Sequence, residues 1–317
     1  MNSRCLVTGA LGAIGAWAVR SLLERGSTVV TYDLGGSRHR LEIALAGAPV
    51  GELIELQGDV TDLAALERAL DEHEITTVLH LAALQVPFVR ADPVLGAQVN
   101  VVGTVNVFEA VRRRADRIGS LVYASSIAAL GDPPSTLYGA FKRANEHTAV
   151  RYFEDFGVSS VGLRPHTVYG PGRDQGLTSA PTTAMVAAAA GVSYTIPFGG
   201  PLKLQYAPDA GEAFVRAAEA DHRGASVHHL DGPVTTVEEI VQLIGYSGIG
   251  WEPEPLPFPA EVDDSSFVAL VGGPVSRSLA DGVSDALERF RALVAAGLVQ
   301  APNRTSTRTP RRRARGT

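Results

Sequence analysis

The chain has 317 residues, 45% of them hydrophobic, which excludes a largely disordered protein and allows one large α/β domain with a smaller unit. The formal net charge is −6, but residues 301–317 contain six arginines and no acid, so the rest of the chain carries −12 and would repel nucleic acid. The single cysteine, Cys5, excludes a disulfide framework and a thiolate metal cluster. No uninterrupted apolar run of about 18 residues and no signal-peptide pattern is present, so we expect a cytoplasmic protein that does not enter the membrane.

The first 165 residues alternate short runs rich in β-branched residues with segments of helical length. The predicted strands are 4–8, 28–33, 53–59, 77–81, 120–125 and 159–163. The predicted helices are 14–25, 64–72, 93–114 and 137–156. Strands that alternate with helices in this way predict an α/β fold with a doubly wound parallel sheet of the Rossmann type.

After Arg164 the sequence becomes rich in Gly, Pro and Thr, which indicates irregular backbone. A helix over 209–220 and a strand over 227–230 are predicted to return to the sheet, and helices over 235–244 and 281–296 to complete a second lobe. We therefore predict a dinucleotide-binding domain from 1–170 plus about 204–230. A smaller, discontinuous substrate lobe is predicted from 171–203 plus 231–300, followed by a basic, disordered tail at 301–317.

A glycine-rich turn follows the first predicted strand. It reads from Thr8 to Gly15, with Gly9, Gly12 and Gly15 at intervals of three before a helical segment that starts with Ala13 and Ile14. Glycines in such a turn let the backbone approach a pyrophosphate, and the following helix N-terminus supplies N–H donors. The turn therefore predicts a dinucleotide cofactor.

The second predicted strand ends at Asp33. A carboxylate at this place accepts hydrogen bonds from the ribose hydroxyls and repels a 2′-phosphate, which favours NAD over NADP. Arg38 and Arg40 follow in the loop and leave NADP open.

Tyr138 and Lys142 lie four residues apart near the start of the predicted helix 137–156, and therefore on one face. A phenol ionises near pH ~10. A nearby ammonium and an oxidised nicotinamide ring would favour the phenolate, so we expect Tyr138 to have a lowered pKa and to act as a general base.

Together with further motifs, these segments resemble the extended short-chain dehydrogenase/reductases, the NAD-dependent epimerase/dehydratase family, over nearly the whole chain to about residue 300. The motifs are Gly58 to Asp62, His80 to Ala83, Asn100 to Asn106, Tyr123 to Ser126, Arg164-Pro165 and Val168 to Gly172. The resemblance implies an NAD-dependent enzyme with Ser126, Tyr138 and Lys142 as catalytic residues, Lys142 also holding the nicotinamide ribose. It further implies cofactor contacts from Asp59, Val60, Leu81, Ala82, Ala83, Asn100 and Pro165, and a homodimer paired through helices 93–114 and 137–156.

The chain departs from the family pattern in two places that bear on the substrate. Family dehydratases carry an Asp-Glu pair after the catalytic hydroxyl, where this chain has Ile127-Ala128, so sugar 4,6-dehydration is not expected. Family members that bind nucleotide sugars carry an arginine before the segment at 204–209 and another in the late proline-rich loop. Here the first place reads Pro201 to Leu204 and the second is an acidic loop, 258–264, although Lys203 and Arg173 keep a nucleotide sugar open.

We therefore predict hydride transfer at a secondary hydroxyl of a small carbohydrate-like substrate, a sugar acid or polyol. The loop 176–183 resembles that of family members that oxidise sugar acids. The candidate substrate residues are Gln85, Ser126, His166, Thr178 and Ser179. An epimerase that returns the hydride to the opposite face of a transient ketone is the alternative, and a non-catalytic dinucleotide-binding regulator is the third hypothesis. No metal site is predicted, because His80 is interpreted as packed and His228 and His229 alternate on a strand.

Overall fold

The computed structural model describes residues 3–47 and 51–302, so most of the predicted tail, 303–317, lies outside the described residues. The strands are β1 Arg4–Thr8, β2 Thr28–Asp33, β3 Leu53–Gln57, β4 Thr77–His80, β5 Ser120–Ala124, β6 Ser160–Arg164, β7 Thr167–Tyr169, β8 Tyr194–Ile196, β9 Pro201–Tyr206, β10 Ala225–His229, β11 Val234–Thr236 and β12 Ile249–Trp251. The α-helices are α1 Ala13–Glu24, α2 His39–Leu45, α3 Leu63–Glu72, α4 Val86–Ala91, α5 Pro93–Ala97, α6 Gly103–Arg112, α7 Leu137–Phe156, α8 Ala180–Ala189, α9 Ala207–Glu219, α10 Val237–Ile244, α11 Ser265–Val271 and α12 Leu279–Ala295.

The predicted strands form one seven-stranded sheet in the order β3-β2-β1-β4-β5-β6-β10, and every pair in it is parallel. Helices α1 and α9 cover one face around Trp17 and Phe214, and α3 and α6 cover the other around Leu66 and Phe108. The strand order reverses between β1 and β4. The carboxyl ends of these two strands therefore open a crevice, which is where sheets of this kind bind ligands. The predicted Rossmann fold is confirmed.

The predicted helix 93–114 is divided into α5, a π-helical turn over Gln98–Val102, and α6. The Asn100 carbonyl oxygen accepts hydrogen bonds from Thr104 Oγ1 at 2.8 Å and from Asn145 Nδ2 at 2.7 Å. These side-chain donors occupy a carbonyl that a regular α-helix would use for its own N–H ladder, and π-turns of this kind cluster at functional sites. Within the described residues, only the helical segment Pro93–Arg112 is long and apolar enough to span a membrane by length and composition alone. Its parts α5, the π-helical turn and α6 pack against α7.

The second lobe has its own apolar core. Strands β7, β9 and β11 form a three-stranded sheet, β8 pairs with β12, and α8, α10 and α12 pack around residues such as Tyr206 and Phe290. Helix α8 was not predicted, because its alanine-rich sequence is apolar on nearly every face and shows no helical period. Strand β9 crosses the boundary predicted near residue 204.

Candidate active site

A cavity of about 840 Å³ lies where the carboxyl edge of the large sheet faces the second lobe. Most of the residues predicted to bind the cofactor or substrate line it: Gly9, Gly12, Ala13, Ile14, Gly15, Asp33, Asp59, Val60, Leu81, Ala82, Ala83, Gln85, Ser126, Tyr138, Lys142, Pro165, His166 and Thr178. Asn100 and Ser179 do not. The volume is within the range of pockets that enclose small organic ligands.

The glycine-rich turn is packed so closely that it admits no side chain at its key position. A Cβ atom added to Gly15 would lie 2.2 Å from the Gly9 carbonyl oxygen. Helix α1 begins directly after Gly12, and no side chain caps it, so the N–H groups of its first turn have no acceptor in the helix. These donors line the cavity together with Asp33, and they fit a pyrophosphate and its adjoining ribose.

Asp33 lies at the end of β2, where its Oδ2 accepts a hydrogen bond from the Leu11 backbone N–H at 3.1 Å. Burial raises the pKa of this carboxyl group, and the Leu11 N–H opposes the rise. The two arginines that left NADP open are both in ion pairs: Arg38 with Glu55 at 2.7 Å and Arg40 with Asp174 at 2.5 Å. Their charges are therefore already partnered, which disfavours a 2′-phosphate.

We expect the substitution Asp33→Ala to weaken NAD binding by roughly 10- to 100-fold, because it removes charged hydrogen bonds to the ribose. NADP binding should weaken less, because the same carboxylate repels the 2′-phosphate. Titration calorimetry with both cofactors measures the two dissociation constants. An unchanged ratio between them would exclude Asp33 as the residue that reads the ribose.

Tyr138, Lys142 and Ser126 come from two elements that pack against each other. Thr136 caps α7 through its Oγ1, which accepts from the Gly139 N–H at 3.0 Å. Gly139 lets α7 touch the 3-10 turn Ile127–Ala129, since an added Cβ would lie 2.0 Å from the Ala128 carbonyl oxygen. This contact places Tyr138 beside Ser126, the residue that begins the turn.

The pKa of Tyr138 differs from the expectation. Burial raises it, while the Ser126 hydroxyl and the Arg173 guanidinium act in the opposite direction. The Lys142 ammonium lies 5.7 Å from the centre of the Tyr138 ring and donates a hydrogen bond to the Ala124 carbonyl oxygen at 2.6 Å. Burial lowers the pKa of Lys142 to about 8, and the Glu146 carboxylate opposes that shift. The protein groups alone therefore do not lower the Tyr138 pKa, because burial outweighs them.

A buried charged network continues along the face of α7 that carries Lys142. Glu146 forms a bidentate ion pair with Arg164, with distances of 2.7 and 2.6 Å, and accepts a hydrogen bond from the Ser125 hydroxyl. Both serines line the cavity, but the Ser125 hydroxyl is used by Glu146, whereas the Ser126 hydroxyl meets Tyr138. Of the two adjacent serines, only Ser126 therefore offers its hydroxyl at Tyr138.

The Asn100 side chain lies outside the cavity, contrary to the predicted cofactor contact. Its Oδ1 accepts from the Leu84 N–H at 2.7 Å, and its Nδ2 donates to the Leu84 carbonyl oxygen at 2.9 Å. The amide therefore holds the loop after β4, whose residues Leu81 to Gln85 line the cavity. His80 is packed as predicted, between the hydroxyl groups of Thr8 and Thr104, and burial lowers its pKa to about 3, so it stays neutral.

The substrate end of the cavity is formed by loops of the second lobe. Thr178 lines it, but Ser179 is buried and donates its hydroxyl to the Gly176 carbonyl oxygen at 2.8 Å, so Ser179 closes the turn instead of meeting the substrate. His166 packs edge-on against Phe258, with ring centres 5.1 Å apart. Leu256, Pro257 and Phe258 of the late proline-rich loop form a further wall of this end.

Arg173 also lines this end, next to Gln85 and Thr178. The sequence alone identifies Arg173 only as a possible partner of a diphosphate. Its position after the Tyr169 to Gly172 motif, in a loop expected at the substrate, was the signal that could have identified it. No group of three metal-ligating side chains occurs among the residues that the structure describes.

The chain is similar to known proteins both in sequence and in fold. The NAD dependent epimerase/dehydratase family pattern matches residues 5–231. UDP-glucuronate 4-epimerase 3 of Arabidopsis thaliana is 32% identical over 183 residues, which are 52% of this chain and only 42% of that protein, so the match spans less than half of the plant relative. UDP-glucose 4-epimerase of Mycolicibacterium smegmatis is 30% identical over 313 residues, 91% of this chain and 98% of that protein. The holo structure of an L-threonine dehydrogenase from Cupriavidus necator has a TM-score of 0.77 and 25% identity, covering 90% of this chain and 99% of that one.

Proposed function

The chain belongs to the NAD dependent epimerase/dehydratase family, and from this membership and the cavity we propose that it is an NAD-dependent oxidoreductase acting at a secondary hydroxyl of a small carbohydrate-like substrate without a nucleotide. The observation that carries the proposal is that Ser126, Tyr138 and Lys142 line the same cavity as the glycine-rich turn and Asp33. Catalytic hydroxyls and a dinucleotide cradle in one cavity are what hydride transfer to a cofactor requires.

The residues that would hold NAD are arranged along the cavity. The α1 N-terminus would bind the pyrophosphate, Asp33 the adenosine ribose, and Lys142 the nicotinamide ribose. NAD supplies the hydride acceptor, and its oxidised ring carries a positive charge. That charge favours the Tyr138 phenolate, which the protein groups alone do not.

Tyr138 would take the proton from the substrate hydroxyl as the hydride leaves the same carbon. Ser126 would orient the reacting oxygen through its hydroxyl. Lys142, whose ammonium faces the Tyr138 ring, would stabilise the phenolate electrostatically. Because Ala124 holds the ammonium through its carbonyl oxygen, Lys142 is already oriented before a ligand binds.

The residues beside Ser126 are not those of a dehydratase. The residues at the dehydratase acid positions are Ile127 and Ala128, and neither carries a proton-transferring group. The acids that line the cavity are Asp33, Asp59 and Asp174, none of which neighbours Ser126 in the sequence. The two dehydratase acid positions therefore supply no carboxyl group to protonate a departing hydroxyl group.

The charges of the second lobe also disfavour the binding of a nucleotide diphosphate. Lys203, the cation best placed by sequence to meet it, is buried and forms an ion pair with Asp264, and it also donates to the Val262 carbonyl oxygen at 3.3 Å. The nearby loop adds Glu261 and Asp263. The charge of Lys203 is thus neutralised by Asp264. The loop that would bind a diphosphate in nucleotide-sugar enzymes is acidic in this chain.

An epimerase is the second candidate, favoured by the relatives that are UDP-sugar 4-epimerases and by a cavity of about 840 Å³. Both reactions use the same three catalytic side chains. Incubation with NAD and a panel of aldonic acids, uronic acids, polyols, free sugars and nucleotide sugars separates them. Net NADH from a compound without a nucleotide supports the dehydrogenase, a new stereoisomer without net NADH supports the epimerase, and NAD binding without either product would point to a regulator.

We also propose a homodimer, supported by exposed apolar side chains on two helices that pack against each other. They are Val94, Leu95 and Val102 on the 93–112 segment and Leu137 and Phe156 on α7. A second copy of the chain that covers these side chains would remove their apolar area from water.

We expect Val102→Glu to convert the dimer into a monomer, because it places a charge in the apolar contact. Light scattering after gel filtration measures the mass. The matched control is Val234→Glu, a change at a similarly exposed valine in the second lobe (47% against 48%), which should leave the dimer intact. A monomeric wild-type protein would refute the homodimer.

A further inference from the structure

Arg173 lines the cavity, forms no ion pair with an acidic side chain among the described residues, and has no role in the proposed hydride transfer. We infer that it binds a carboxylate of the substrate, so that the enzyme acts on sugar acids in preference to neutral sugars and polyols. This inference rests on the proposed function, because it names the substrate class of the same cavity.

Three cationic side chains line the cavity: Arg40, Lys142 and Arg173. Arg40 is paired with Asp174, and Lys142 belongs to the catalytic group. Among the described residues, no carboxylate lies within salt-bridge distance of Arg173. Its chain neighbour Asp174 acts on it from farther away and is paired with Arg40. It donates only to neutral acceptors: the Gln175 carbonyl oxygen at 2.6 Å, Thr178 Oγ1 at 2.9 Å and Gln85 Oε1 at 3.5 Å.

These neutral bonds orient the guanidinium without neutralising it. Gln85 and Thr178 hold it from two sides, one from the large domain and one from the second lobe. A guanidinium has five N–H donors, so the three contacts leave part of its donor capacity for a ligand. Burial lowers the pKa of Arg173, which means that the cation is poorly hydrated and that an anion bound beside it would relieve the cost.

Arg173 acts at the reacting end of the cavity. Its charge and that of the Tyr138 phenolate influence each other: Arg173 opposes the rise in the Tyr138 pKa, and Tyr138 opposes the fall in the Arg173 pKa. A substrate that pairs its anionic group with Arg173 therefore presents a nearby carbon to Tyr138. A short molecule with a carboxylate close to its secondary hydroxyl meets this requirement.

The charge balance favours a carboxylate over a phosphate or diphosphate. Arg173 offers one positive charge, which matches a carboxylate, whereas a phosphate monoester carries about −1.5 to −2 at pH 7. A diphosphate would need a second cation, and Lys203 is already neutralised by Asp264. Sugar phosphates share the anionic chemistry, and we include them as a test arm.

The test compares matched acids and neutral compounds: galacturonate with galactose, glucuronate with glucose, and erythronate with erythritol, together with galactose 1-phosphate. For each pair, kcat/KM is measured from NADH production. We expect the wild type to prefer the acid, and Arg173→Met to lower the acid-to-neutral ratio of kcat/KM by roughly 10- to 100-fold. Arg173→Lys, which keeps the charge and loses the fork geometry, should restore part of the ratio.

Arg38→Met is the control, since Arg38 does not line the cavity and pairs with Glu55 instead of Asp174. It should leave the acid-to-neutral ratio at the wild-type value. Three results would overturn the inference: a wild type that prefers the neutral partner or the sugar phosphate, an Arg173→Met variant with an unchanged ratio, or a loss in that variant confined to NAD binding.

A binding measurement keeps this inference separable from the proposed function. Calorimetry on the NAD-loaded Tyr138→Phe variant reports binding of the same acids without turnover. Binding that disappears when Arg173→Met is added supports the carboxylate site even if no product forms in the wild type, a result that would refute the proposed function. Turnover of a neutral compound with no binding of any sugar acid would refute the carboxylate site and leave the proposed function standing.

Discussion

Replacing Tyr138 with phenylalanine should lower kcat by on the order of 10³-fold, within the range that a positioned general acid–base contributes. The substitution removes only the hydroxyl that would accept the substrate proton. The ring remains on α7, against the turn at Ser126 and Ile127. Turnover is followed by NADH production, or by stereoisomer analysis if the enzyme is an epimerase.

The affinity for NAD is the control for this variant. The α1 N-terminus, Asp33 and Lys142 are untouched, so the dissociation constant of NAD should stay within about threefold of the wild-type value, a difference well below that of a lost charged hydrogen bond. Wild-type rates in the Tyr138→Phe variant would contradict the proposed role of Tyr138 as general base. A collapse of NAD binding together with activity would instead show that the tyrosine organises the cofactor site.

The second large effect concerns stability. Glu146→Ala should reduce the free energy of unfolding by about 3–5 kcal/mol, because it leaves the Arg164 guanidinium buried without its carboxylate partner. The Glu146 and Arg164 side chains are only 9% and 20% exposed, so water can replace only part of what the lost partner supplies. Urea unfolding measured by circular dichroism gives the change.

The matched control lies on the same helix. Glu154 pairs with Arg151 near the end of α7, but both side chains are about half exposed or more. Glu154→Ala should therefore cost about 0–1 kcal/mol. Equal losses in the two variants would mean that the buried network contributes no more than a surface ion pair.

Much of the large domain could be predicted because its signals are local. Runs of β-branched residues predict the strands, and the Thr136 cap and Gly157 bound α7 at the predicted residues. The glycine-rich turn and Asp33 have a fixed relation to β1 and β2, so their meeting in one crevice follows from the topology of a parallel sheet.

The corrections depend on hydrogen-bond partners that the fold supplies, some distant in sequence and some within the same loop. The Asn100 side chain lies outside the cavity because its amide is hydrogen-bonded to the Leu84 backbone. At the π-helical turn, Thr104 and Asn145 donate hydrogen bonds to the Asn100 carbonyl oxygen. Ser179 is used by its own loop. In each case the residue type was compatible with a ligand contact, and only the three-dimensional neighbours decide otherwise.

The roles of the charged residues in the substrate region could not be predicted from the sequence either. In the sequence Lys203 and Arg173 are both candidates for an anionic ligand. The fold brings Asp264 to Lys203 but only neutral acceptors to Arg173. Whether a cation is neutralised by the protein depends on this pairing, so the site that favours a substrate carboxylate emerges only from the structure.

The most direct test of the central claim is the fate of the hydrogen on the reacting carbon. The wild-type enzyme is given NAD and a sugar acid that carries deuterium at its secondary carbinol carbon, and the NADH is isolated for mass spectrometry. We predict NADH that carries the deuterium, or, if the enzyme is an epimerase, an epimerised product that retains it. Deuterium released to the solvent, with NADH or product unlabelled, would show that a proton leaves that carbon instead of a hydride and would contradict the account.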